Sequence, residues 1–376
     1  MKYREFNKNE EKVSLLGLGC MRFPKVTPDK EEIDIPRACE IIDYAYNNGV
    51  NYFDTAFPYH GGQSELVIGE ALKKYPRDSF KLATKLPMWK LQKKEDVLDT
   101  FNEQLKKCQV DYFDFYLCHA MNRERMDWLE KYEVMPALCR LKEEGKIRHL
   151  GFSFHDTPDV LEELLNRYQW DFVQIQLNYL DWELQDAKRQ YELIAGKGLQ
   201  AVIMEPVRGG MLASLCEEAD QVFKDAEPEH SVASWALRFA MSLPRVLTVL
   251  SGMSNMDQVI DNVHTASEFE PLTDEQRGVI DAALEKFKKN KTIPCTGCRY
   301  CMDCPAGVNI PKIFKIYNDY AISKNKNGFK RAYEELPESE RADRCVECGA
   351  CMSQCPQSLK VPERMKEIAA MAAEMN

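Results

Sequence analysis

The chain has 376 residues and a formal net charge of −10, with 44% hydrophobic and 29% charged residues. This length suits one large domain plus a smaller one, and the acidic balance argues against non-specific binding to nucleic acid or an acidic membrane. No run of about 18 apolar residues occurs, and the N-terminus MKYREFNKNEEK lacks the apolar segment of a secretory signal. We therefore expect a cytoplasmic protein without a membrane helix.

Eight short apolar runs are typical of strands, and they alternate with stretches of helical period. In chain order the runs are VSLLGLGCM, VNYFDT, SFKLATK, YFDFYLCH, IRHLGFS, DFVQIQLN, LQAVIMEP and VLTVLSG. Amphipathic stretches such as IPRACEIIDYAYNNG and QSELVIGEALKKY lie between them. Strands that alternate with helices indicate βαβ units and a parallel sheet. Eight such units in about 280 residues fit a closed (β/α)8 TIM barrel.

The alternative to the barrel is a doubly wound open sheet, which usually carries the pattern GxGxxG after its first strand. Here LGLGC supplies only Gly17 and Gly19, and neither a third glycine nor a helix follows them. The pattern therefore favours the barrel.

The composition changes near residue 290. A helical pattern runs through TDEQRGVIDAALEKFKKN and stops at Lys291 to Pro294. Beyond it lie two cysteine runs, CTGCRYCMDCP and CVECGACMSQCP, joined by the predicted helices IPKIFKIYNDYAISKN and NGFKRAYEEL. We predict a barrel domain over residues 1–290 and a small, mostly helical domain over residues 291–376.

Three consecutive predicted strands each end in an ionisable residue, where the chemistry of a (β/α)8 barrel lies. These residues are Asp54, Lys85 and His119, and the loop FPYHGGQSE adds Tyr59. Each has an ordinary structural role when it occurs alone, as a turn former, a solvent-facing charge or a core ring with a wet hydroxyl. Adjacent strand ends lie about 5 Å apart, so all four side chains can converge.

The combination of these four residue types has a chemical use. A nearby ammonium lowers the pKa of a tyrosine from its usual value of about 10. An aspartate keeps the lysine charged and in place, and a histidine can donate a hydrogen bond to a carbonyl oxygen. Such a group can protonate an alkoxide while hydride reaches the carbon.

The barrel resembles the aldo/keto reductases, because FDTAFPYH, ATK and YLCH are similar to that family's catalytic tetrad. The resemblance covers residues 1–290. It implies an NAD(P)-dependent oxidoreductase that reduces a carbonyl or oxidises an alcohol. It also implies that Tyr59 is the general acid and base, that Lys85 and Asp54 tune it, and that His119 places the carbonyl.

The same resemblance implies a nicotinamide dinucleotide site on the loops EPVRGGMLAS and SGMSNMDQVIDN. Their glycines let backbone N–H groups approach a pyrophosphate, and a helix N-terminus near Asn255 favours a phosphate, although plain turns have the same composition. The implied cofactor-binding residues are Ser153, Gln174, Gly209, Leu212, Gly252, Gln258 and Asn262.

The chain departs from the family pattern in two places. Many NADPH-using members pair the 2′-phosphate with Lys and Arg, where this chain has the neutral Gly252 and Gln258. Arg–phosphate pairing is bidentate and strong, so its absence weakens the case for NADP against NAD. In GFSFH, Phe154 stands where many relatives carry Asn near the nicotinamide amide. The neighbouring His155 is interpreted as structural rather than catalytic.

Eight of the fourteen cysteines lie in the two runs, where zinc and iron–sulfur clusters are the competing interpretations. Zinc sites use two C-x2-C pairs. Here each run has three cysteines at i, i+3 and i+6 and a fourth before proline, which is the [4Fe–4S] pattern in which the fourth thiolate reaches the other cluster. We therefore predict two [4Fe–4S] clusters. Their ligands are Cys295, Cys298, Cys301 and Cys355 for one, and Cys345, Cys348, Cys351 and Cys304 for the other.

The remaining six cysteines are interpreted as small core hydrophobes in a reducing compartment. They are Cys20, Cys39, Cys108, Cys118, Cys139 and Cys216. The first run has only two residues between its third and fourth cysteines, and about forty residues separate the runs. Both features indicate a helical, ferredoxin-like two-cluster module. The whole chain is therefore similar to aldo/keto reductases that carry a C-terminal 4Fe–4S dicluster domain.

A nicotinamide delivers two electrons at once, whereas a [4Fe–4S] cluster moves one, so a flavin is the mediator that such a pairing calls for. Three interpretations stay open. In the first, NAD(P)H reduces a carbonyl and the clusters are structural or redox-sensing. In the second, the clusters exchange electrons with a flavin, a ferredoxin or another electron-transfer protein. In the third, the chain is an electron carrier with an idle barrel. The intact tetrad argues against the third. A small carbonyl or alcohol is the expected substrate, and Phe57, Trp89 and Met121 either line its pocket or belong to the core.

Overall fold

The structure is a computed structural model that describes residues 1–6, 11–27 and 32–375, so part of the stretch MKYREFNKNEEK lies outside the described residues. The chain forms two compact units. The first consists of Met1–Val207 and Ala233–Asp274, and the second of Arg208–Val232 and Glu275–Asn376. The domain boundary after residue 290 stays a prediction.

Ten strands occur in the described part of the first unit. An antiparallel hairpin of β1 (Tyr3–Phe6) and β2 (Glu11–Ser14) precedes eight parallel strands that close into a barrel. The barrel strands are β3 (Leu16–Gly19), β4 (Tyr52–Asp54), β5 (Lys81–Leu86), β6 (Phe113–Met121), β7 (Ile147–Phe154), β8 (Phe172–Gln176), β9 (Gln200–Met204) and β10 (Val246–Ser251). They pair in chain order, and β10 pairs with β3 to close the ring. The predicted (β/α)8 barrel is confirmed, and the open sheet is excluded.

The barrel is filled with side chains from its own strands. Phe115 lies at the centre, with its ring 4.9 Å from that of Tyr52, 5.0 Å from Phe172 and 5.6 Å from Phe6. Phe6 comes from the hairpin, so β1 supplies part of the same apolar cluster. The sequence pattern joined β2 and β3 into one strand and missed the hairpin, because β1 and β2 are short and carry charged residues.

The half-buried Glu11 connects the hairpin to the barrel. Glu11 of β2 lies 2.6 Å from Lys81 Nζ and 2.7 Å from His149 Nε2. Burial raises the pKa of Glu11, but the hydrogen bonds from His149 and Lys81 outweigh burial and lower that pKa to about 2. The charged carboxylate therefore stabilises the folded hairpin at neutral pH.

Sixteen α-helices occur in the described part of the chain. They are α1 (Ile35–Asn47), α2 (Ser64–Leu72), α3 (Glu95–Cys108), α4 (Arg123–Lys131), α5 (Val134–Glu143), α6 (Pro158–Arg167), α7 (Asp181–Leu184), α8 (Ala187–Gly196), α9 (Glu217–Ala226), α10 (Val232–Met241), α11 (Met256–Ser267), α12 (Asp274–Lys288), α13 (Ile310–Ser323), α14 (Lys326–Glu334), α15 (Ala350–Gln354) and α16 (Val361–Glu374). None of them is long and apolar enough to cross a membrane.

Helices α2 and α3 approach each other closely at one glycine. A Cβ atom built on Gly69 would lie 2.6 Å from the carbonyl oxygen of Lys107 and from the backbone of Cys108. Only glycine lets the two helix backbones approach this closely.

Four of the six scattered cysteines are buried as expected, but Cys39 is half-buried and Cys139 is exposed, so the core interpretation was wrong for Cys139.

The second unit contains two copies of one backbone motif. Each cysteine run ends in Cys-Pro, followed two residues later by a residue with positive φ, which is Gly307 (φ 73°) in the first copy and Ser358 (φ 51°) in the second. A helix with proline in its first turn follows each, α13 in the first copy and α16 in the second. Their apolar faces pack into one core that includes Ile313, Phe314 and Met365. The unit is therefore an internal repeat.

Candidate active site and candidate metal centres

Three neighbouring barrel strands bring the predicted tetrad together. Asp54 ends β4, Lys85 lies in β5 and His119 in β6, while Tyr59 begins a short 3₁₀ helix after β4. The four side chains are 3%, 1%, 2% and 9% exposed, in that order. Because β4, β5 and β6 are adjacent in the barrel, these groups meet at one end of it.

The Lys85 ammonium lies at the centre of this group. It donates to Asp54 Oδ1 at 2.6 Å, to the Thr55 carbonyl oxygen at 2.8 Å and to the Tyr59 hydroxyl at 3.4 Å. The Tyr59 and His119 rings meet edge to face, with centroids 6.1 Å apart. The phenol therefore lies between a fixed cation and an imidazole.

The local electrostatics keep a proton on the phenol. Burial raises the pKa of Tyr59 well above its usual value, the Asp54 and Glu205 carboxylates raise it further, and the Arg22 guanidinium lowers it. The net shift is opposite to the lowering that a lysine alone would cause, because burial is the largest contribution to it. Burial also raises the pKa of Asp54, and Lys85 opposes that shift.

His119 is held in its neutral form. Burial lowers its pKa well below the usual value, and the charges of Lys85 and Arg125 and the nearby His155 lower it further. A neutral imidazole carries one N–H donor. Its Nδ1 is buried without a hydrogen-bond partner among the described residues. The exposed indole of Trp89 lies 5.0 Å from the imidazole, so an aromatic ring borders the site.

Two of the predicted cofactor residues lie side by side on neighbouring strands. Ser153 of β7 pairs in register with Gln174 of β8, and both are 1% exposed. Ser153 Oγ accepts a hydrogen bond from the Ala120 N–H at 2.7 Å. Gln174 Oε1 is buried and has no partner within the described chain. An acceptor in this state suits an amide N–H of a bound molecule, as a nicotinamide carboxamide would supply.

The three predicted residues after β10 already have structural contacts. The Gln258 side chain accepts from the Ser254 N–H at 2.7 Å, and its backbone N–H bonds Asn255 Oδ1 at 3.0 Å, which caps α11. Asn262 donates to Ser251 Oγ at 2.9 Å. A Cβ atom on Gly252 would lie 3.1 Å from the Arg22 side chain. The predicted helix N-terminus near Asn255 is present, and these contacts are sufficient to explain the residue types.

Gly209 and Leu212 belong to the second compact unit. Gly209 has φ of 66° and the adjacent Gly210 has φ of 96°, so both adopt the left-handed conformation that favours glycine. Leu212 is fully buried. The turn alone therefore accounts for both glycines.

Two cavities in the second unit are each lined by four cysteines. Cavity A is lined by Cys295, Cys298, Cys301 and Cys355. Cavity B is lined by Cys304, Cys345, Cys348 and Cys351. Each cavity takes its fourth cysteine from the other run, so the structure brings the two predicted ligand sets together. Ile310 and Val361 line both cavities.

The loops around the two cavities have the same backbone conformation. The second residue after the first cysteine of each run has positive φ, at Gly297 (65°) and Glu347 (55°), and so does the fourth, at Arg299 (68°) and Gly349 (77°). Alternating right- and left-handed residues turn successive N–H groups toward one centre, which forms a nest for an anionic group such as an iron–sulfur cluster. Burial raises the pKa of Cys301 to about 12, and the adjacent Cys298, Cys295 and Cys355 contribute.

In each cavity, the four cysteine sulfur atoms surround an open space and do not converge on a single-ion position. Within residues 1–6, 11–27 and 32–375, no group of three or more His, Cys, Asp or Glu side chains is close enough to hold a single metal ion. None of the fourteen cysteines, all of which lie in the described residues, forms a disulfide bond. Four thiolates around a cavity suit a multi-iron cube, in which each sulfur binds a different iron.

The family model described as "Aldo/keto reductase family" matches residues 15–285. The chain belongs to the aldo/keto reductase family. A second model, "4Fe-4S dicluster domain", matches residues 294–359. L-galactose dehydrogenase of Arabidopsis thaliana is 30% identical over 310 residues, which cover 75% of this chain and 94% of that protein. NADH-specific methylglyoxal reductase of Escherichia coli is 23% identical over 294 residues, covering 67% of this chain and 89% of that protein.

A solved aldo/keto reductase has the same barrel. The holo form of aldo-keto reductase AKR11C1 from Bacillus halodurans superposes with a TM-score of 0.63 at 29% identity, over 75% of this chain and 96% of that one. The likeness covers the barrel portion of the chain and agrees with the expected oxidoreductase class.

In this aldo/keto reductase, one ion pair near the tetrad escaped the sequence prediction. Arg22, after β3, lies 3.4 Å from Glu205, after β9, and both charges act on the pKa of Tyr59. The signal was present in principle, because both residues follow barrel strands. Their separation by 183 positions left the pairing unpredictable without the closed ring.

The structure also sorts the predicted pocket residues. Met121 is fully buried, and the Phe57 ring is covered by Lys90 and Lys107, each 4.1 Å from its centroid, whereas Trp89 is exposed beside His119. Phe154 is buried against Phe152. Among the three pocket candidates, Trp89 is therefore the one that remains available to a substrate.

Proposed function

We propose that this aldo/keto reductase interconverts a small carbonyl compound and its alcohol with a nicotinamide cofactor, and that it holds two [4Fe–4S] clusters. The observation that carries the first part is the Lys85 ammonium, which contacts both Asp54 and the Tyr59 hydroxyl in a buried site. The observation that carries the second is the set of four cysteines around each cavity.

In the direction of reduction, Tyr59 is the proton donor. Its raised pKa keeps the phenol protonated until the substrate oxygen gains negative charge. Lys85, 3.4 Å from the phenol oxygen, stabilises the phenolate that remains. Asp54 fixes the ammonium, and the neutral His119 donates its N–H to the carbonyl oxygen and orients it. A bound nicotinamide supplies the hydride to the carbon.

The proposed nicotinamide site rests on Ser153 and Gln174. The buried, unsatisfied Gln174 Oε1 is the acceptor that a carboxamide N–H would satisfy. Further along the proposed site, Gly252 and Gln258 provide no positive charge for a 2′-phosphate, which favours NADH over NADPH. The E. coli relative is named as NADH-specific, which agrees with this preference.

Cavity A and cavity B are proposed to hold one [4Fe–4S] cluster each, with the eight cysteines as ligands. The donor set is all thiolate, the nest-like loops suit an anionic cluster, and single-ion geometry is absent from the described residues. We also propose a domain boundary after residue 290, just beyond the end of α12 at Lys288. Fourteen cysteines without a disulfide bond favour a reducing compartment such as the cytoplasm.

A second candidate function follows from the one-electron character of the clusters. In it, the clusters exchange electrons with a bound flavin or an external ferredoxin, and the barrel acts on its substrate with those electrons. The neutral residues Gly252 and Gln258 and the aromatic Phe154, which depart from the family pattern, support this candidate.

One experiment separates the two candidates. The protein is purified anaerobically, its organic cofactor and iron are identified, and NADH or NADPH is added while the broad visible absorbance is recorded. The first candidate predicts about eight irons per chain, no flavin, carbonyl turnover with nicotinamide, and no bleaching by NADH. Bleaching by NADH together with bound flavin supports the second, and a colourless, zinc-loaded protein refutes the clusters. A variant that lacks all eight ligand cysteines but retains full turnover would make the clusters dispensable for carbonyl reduction.

A further inference from the structure

A buried arginine contacts the wall of cavity A. Arg208 is 0% exposed, and its Nη2 donates to Gln357 Oε1 at 3.0 Å. Gln357 is 6% exposed, follows Cys355 by two residues and lines cavity A. One side chain therefore connects a buried guanidinium to a cavity that four thiolates surround.

The described residues show no counterpart to this contact at cavity B. In the internal repeat, the residue that corresponds to Gln357 is Ala306, which lines cavity B. The other lining residues of cavity B are Cys, Pro, Val, Ile and Gly, whereas cavity A also has Thr296 and Arg299 in its wall. The two halves thus share a backbone but differ in charge.

Charge beside an iron–sulfur cluster shifts its reduction potential. Reduction adds one negative charge to the cluster, so a nearby fixed cation stabilises the reduced state and raises the potential. Arginine remains charged at every physiological pH, and a buried guanidinium is weakly screened by solvent. Gln357 keeps this charge in a fixed position, because its side-chain oxygen accepts the guanidinium N–H.

We propose that Arg208, held by Gln357, selectively raises the reduction potential of the cluster bound by Cys295, Cys298, Cys301 and Cys355. The inference rests on the two cluster sites proposed above. Arg208 is a positioning residue, since it acts through Gln357. It also directly precedes Gly209 in the loop after β9, for which the family resemblance implies cofactor binding. The arginine therefore favours the reduced state of the cluster in cavity A, whose wall includes the Gln357 that Arg208 contacts.

The test is an EPR-monitored redox titration of the anaerobic, full-length protein. Arg208→Met removes the charge and keeps a long apolar side chain. We expect about a tenfold decrease in the reduced-to-oxidised ratio of one cluster at fixed potential, which is a downward shift of about 59 mV for a one-electron couple. The other cluster should titrate as in the wild type. Cys298→Ser and Cys348→Ser, which alter one ligand each, assign the EPR signals to cavity A and cavity B.

Two further variants separate charge from structure. Arg208→Lys retains the charge and should restore most of the shift. Arg364→Met removes a cation from the exposed face of α16, where Arg364 pairs with Glu367, and should leave both potentials unchanged. If Arg208→Met does not retain its iron, Gln357→Glu replaces it, because a carboxylate against the guanidinium neutralises the charge and should lower the same potential.

The results that overturn the proposal are read from the two reduction potentials, in protein whose iron content shows that both clusters are present. Unchanged potentials in Arg208→Met or Gln357→Glu, with both clusters present, refute the role of Arg208 and leave the cluster sites intact. An equal shift of both clusters, or a shift in Arg208→Lys as large as in Arg208→Met, refutes it as well. A wild-type protein without two clusters refutes the proposed sites instead.

Discussion

Replacing Tyr59 with phenylalanine separates catalysis from stability in this barrel. The substitution removes one hydroxyl whose recorded contact is the Lys85 ammonium at 3.4 Å, and the ring remains to pack against His119. A hydrogen bond this long contributes little, so we expect a loss of less than about 1 kcal/mol in the free energy of unfolding. Without the phenolic proton, however, turnover should fall by about 10²–10⁴, or roughly 3–5 kcal/mol of transition-state stabilisation.

The assay compares wild type and Tyr59→Phe on the best substrate from a panel of aldehydes and ketones, with NADH and NADPH. Cofactor affinity and unfolding are followed by tryptophan fluorescence, since all five tryptophans lie within the first unit. The matched control is Tyr52→Phe, because the Tyr52 hydroxyl is fully buried without a hydrogen-bond partner in the described part of the chain. That control should retain wild-type turnover and be neutral or slightly stabilised.

The reasoning is refuted if Tyr59→Phe retains full turnover. It is also refuted if the variant unfolds so much more easily than Tyr52→Phe that lost structure explains lost activity. Weakened binding of the nicotinamide in Tyr59→Phe would point to a cofactor-positioning role for the phenol, in place of proton donation.

Three further predictions concern stability. Lys85→Met leaves Asp54 buried without its cation and should lower the free energy of unfolding by about 3–5 kcal/mol at neutral pH. This loss should shrink in acid, because the carboxyl then takes up a proton. In urea titrations, adding Asp54→Asn to the same variant should recover most of the lost stability. Glu11→Gln should cost up to about 3 kcal/mol above pH 4.5, and the difference from wild type should vanish as the pH falls toward 2, because the folded-state pKa of Glu11 is depressed from 4.5 to about 2; parallel pH profiles would contradict this. Gly69→Ala should lower the melting temperature measured by circular dichroism, since overpacking costs about 1–3 kcal/mol and outweighs the gain in helix propensity. The control Gly278→Ala lies in α12 with open space around it, and it should raise the melting temperature because helix propensity adds about 1 kcal/mol to the free energy of unfolding.

The barrel was predictable because its strands carry a local signal. Runs such as YFDFYLCH are mostly apolar, as expected for strands buried on both faces, and β6 is buried along its whole length. The hairpin strands β1 and β2 have no such signal, since four-residue segments with several charges do not differ from loops. Their pairing depends on Phe6 and Glu11 meeting barrel residues that are distant in sequence.

The candidate site was predictable in its membership but not in its electrostatics. Strand-end positions pointed to Asp54, Lys85 and His119, which the barrel brings together, and the cysteine spacing pointed to the two groups of four cysteines that line the cavities. The upward pKa shift of Tyr59 depends on burial and on Glu205 and Arg22, which only the closed barrel brings near. Likewise, Arg208 looked like one residue of a glycine-rich turn until the fold placed it against Gln357.

The exchange of cysteines between the two runs has a consequence for assembly. Cavity A is lined by Cys355 from the second run, cavity B by Cys304 from the first, and Ile310 and Val361 form part of both walls. For the two clusters proposed above, each ligand set comes from both runs, so we expect metal binding and folding to be coupled across the repeat. Partially reconstituted protein, examined by native mass spectrometry, should contain mainly chains with both clusters or with neither. Iron limitation would then reduce the number of complete molecules rather than produce half-loaded ones.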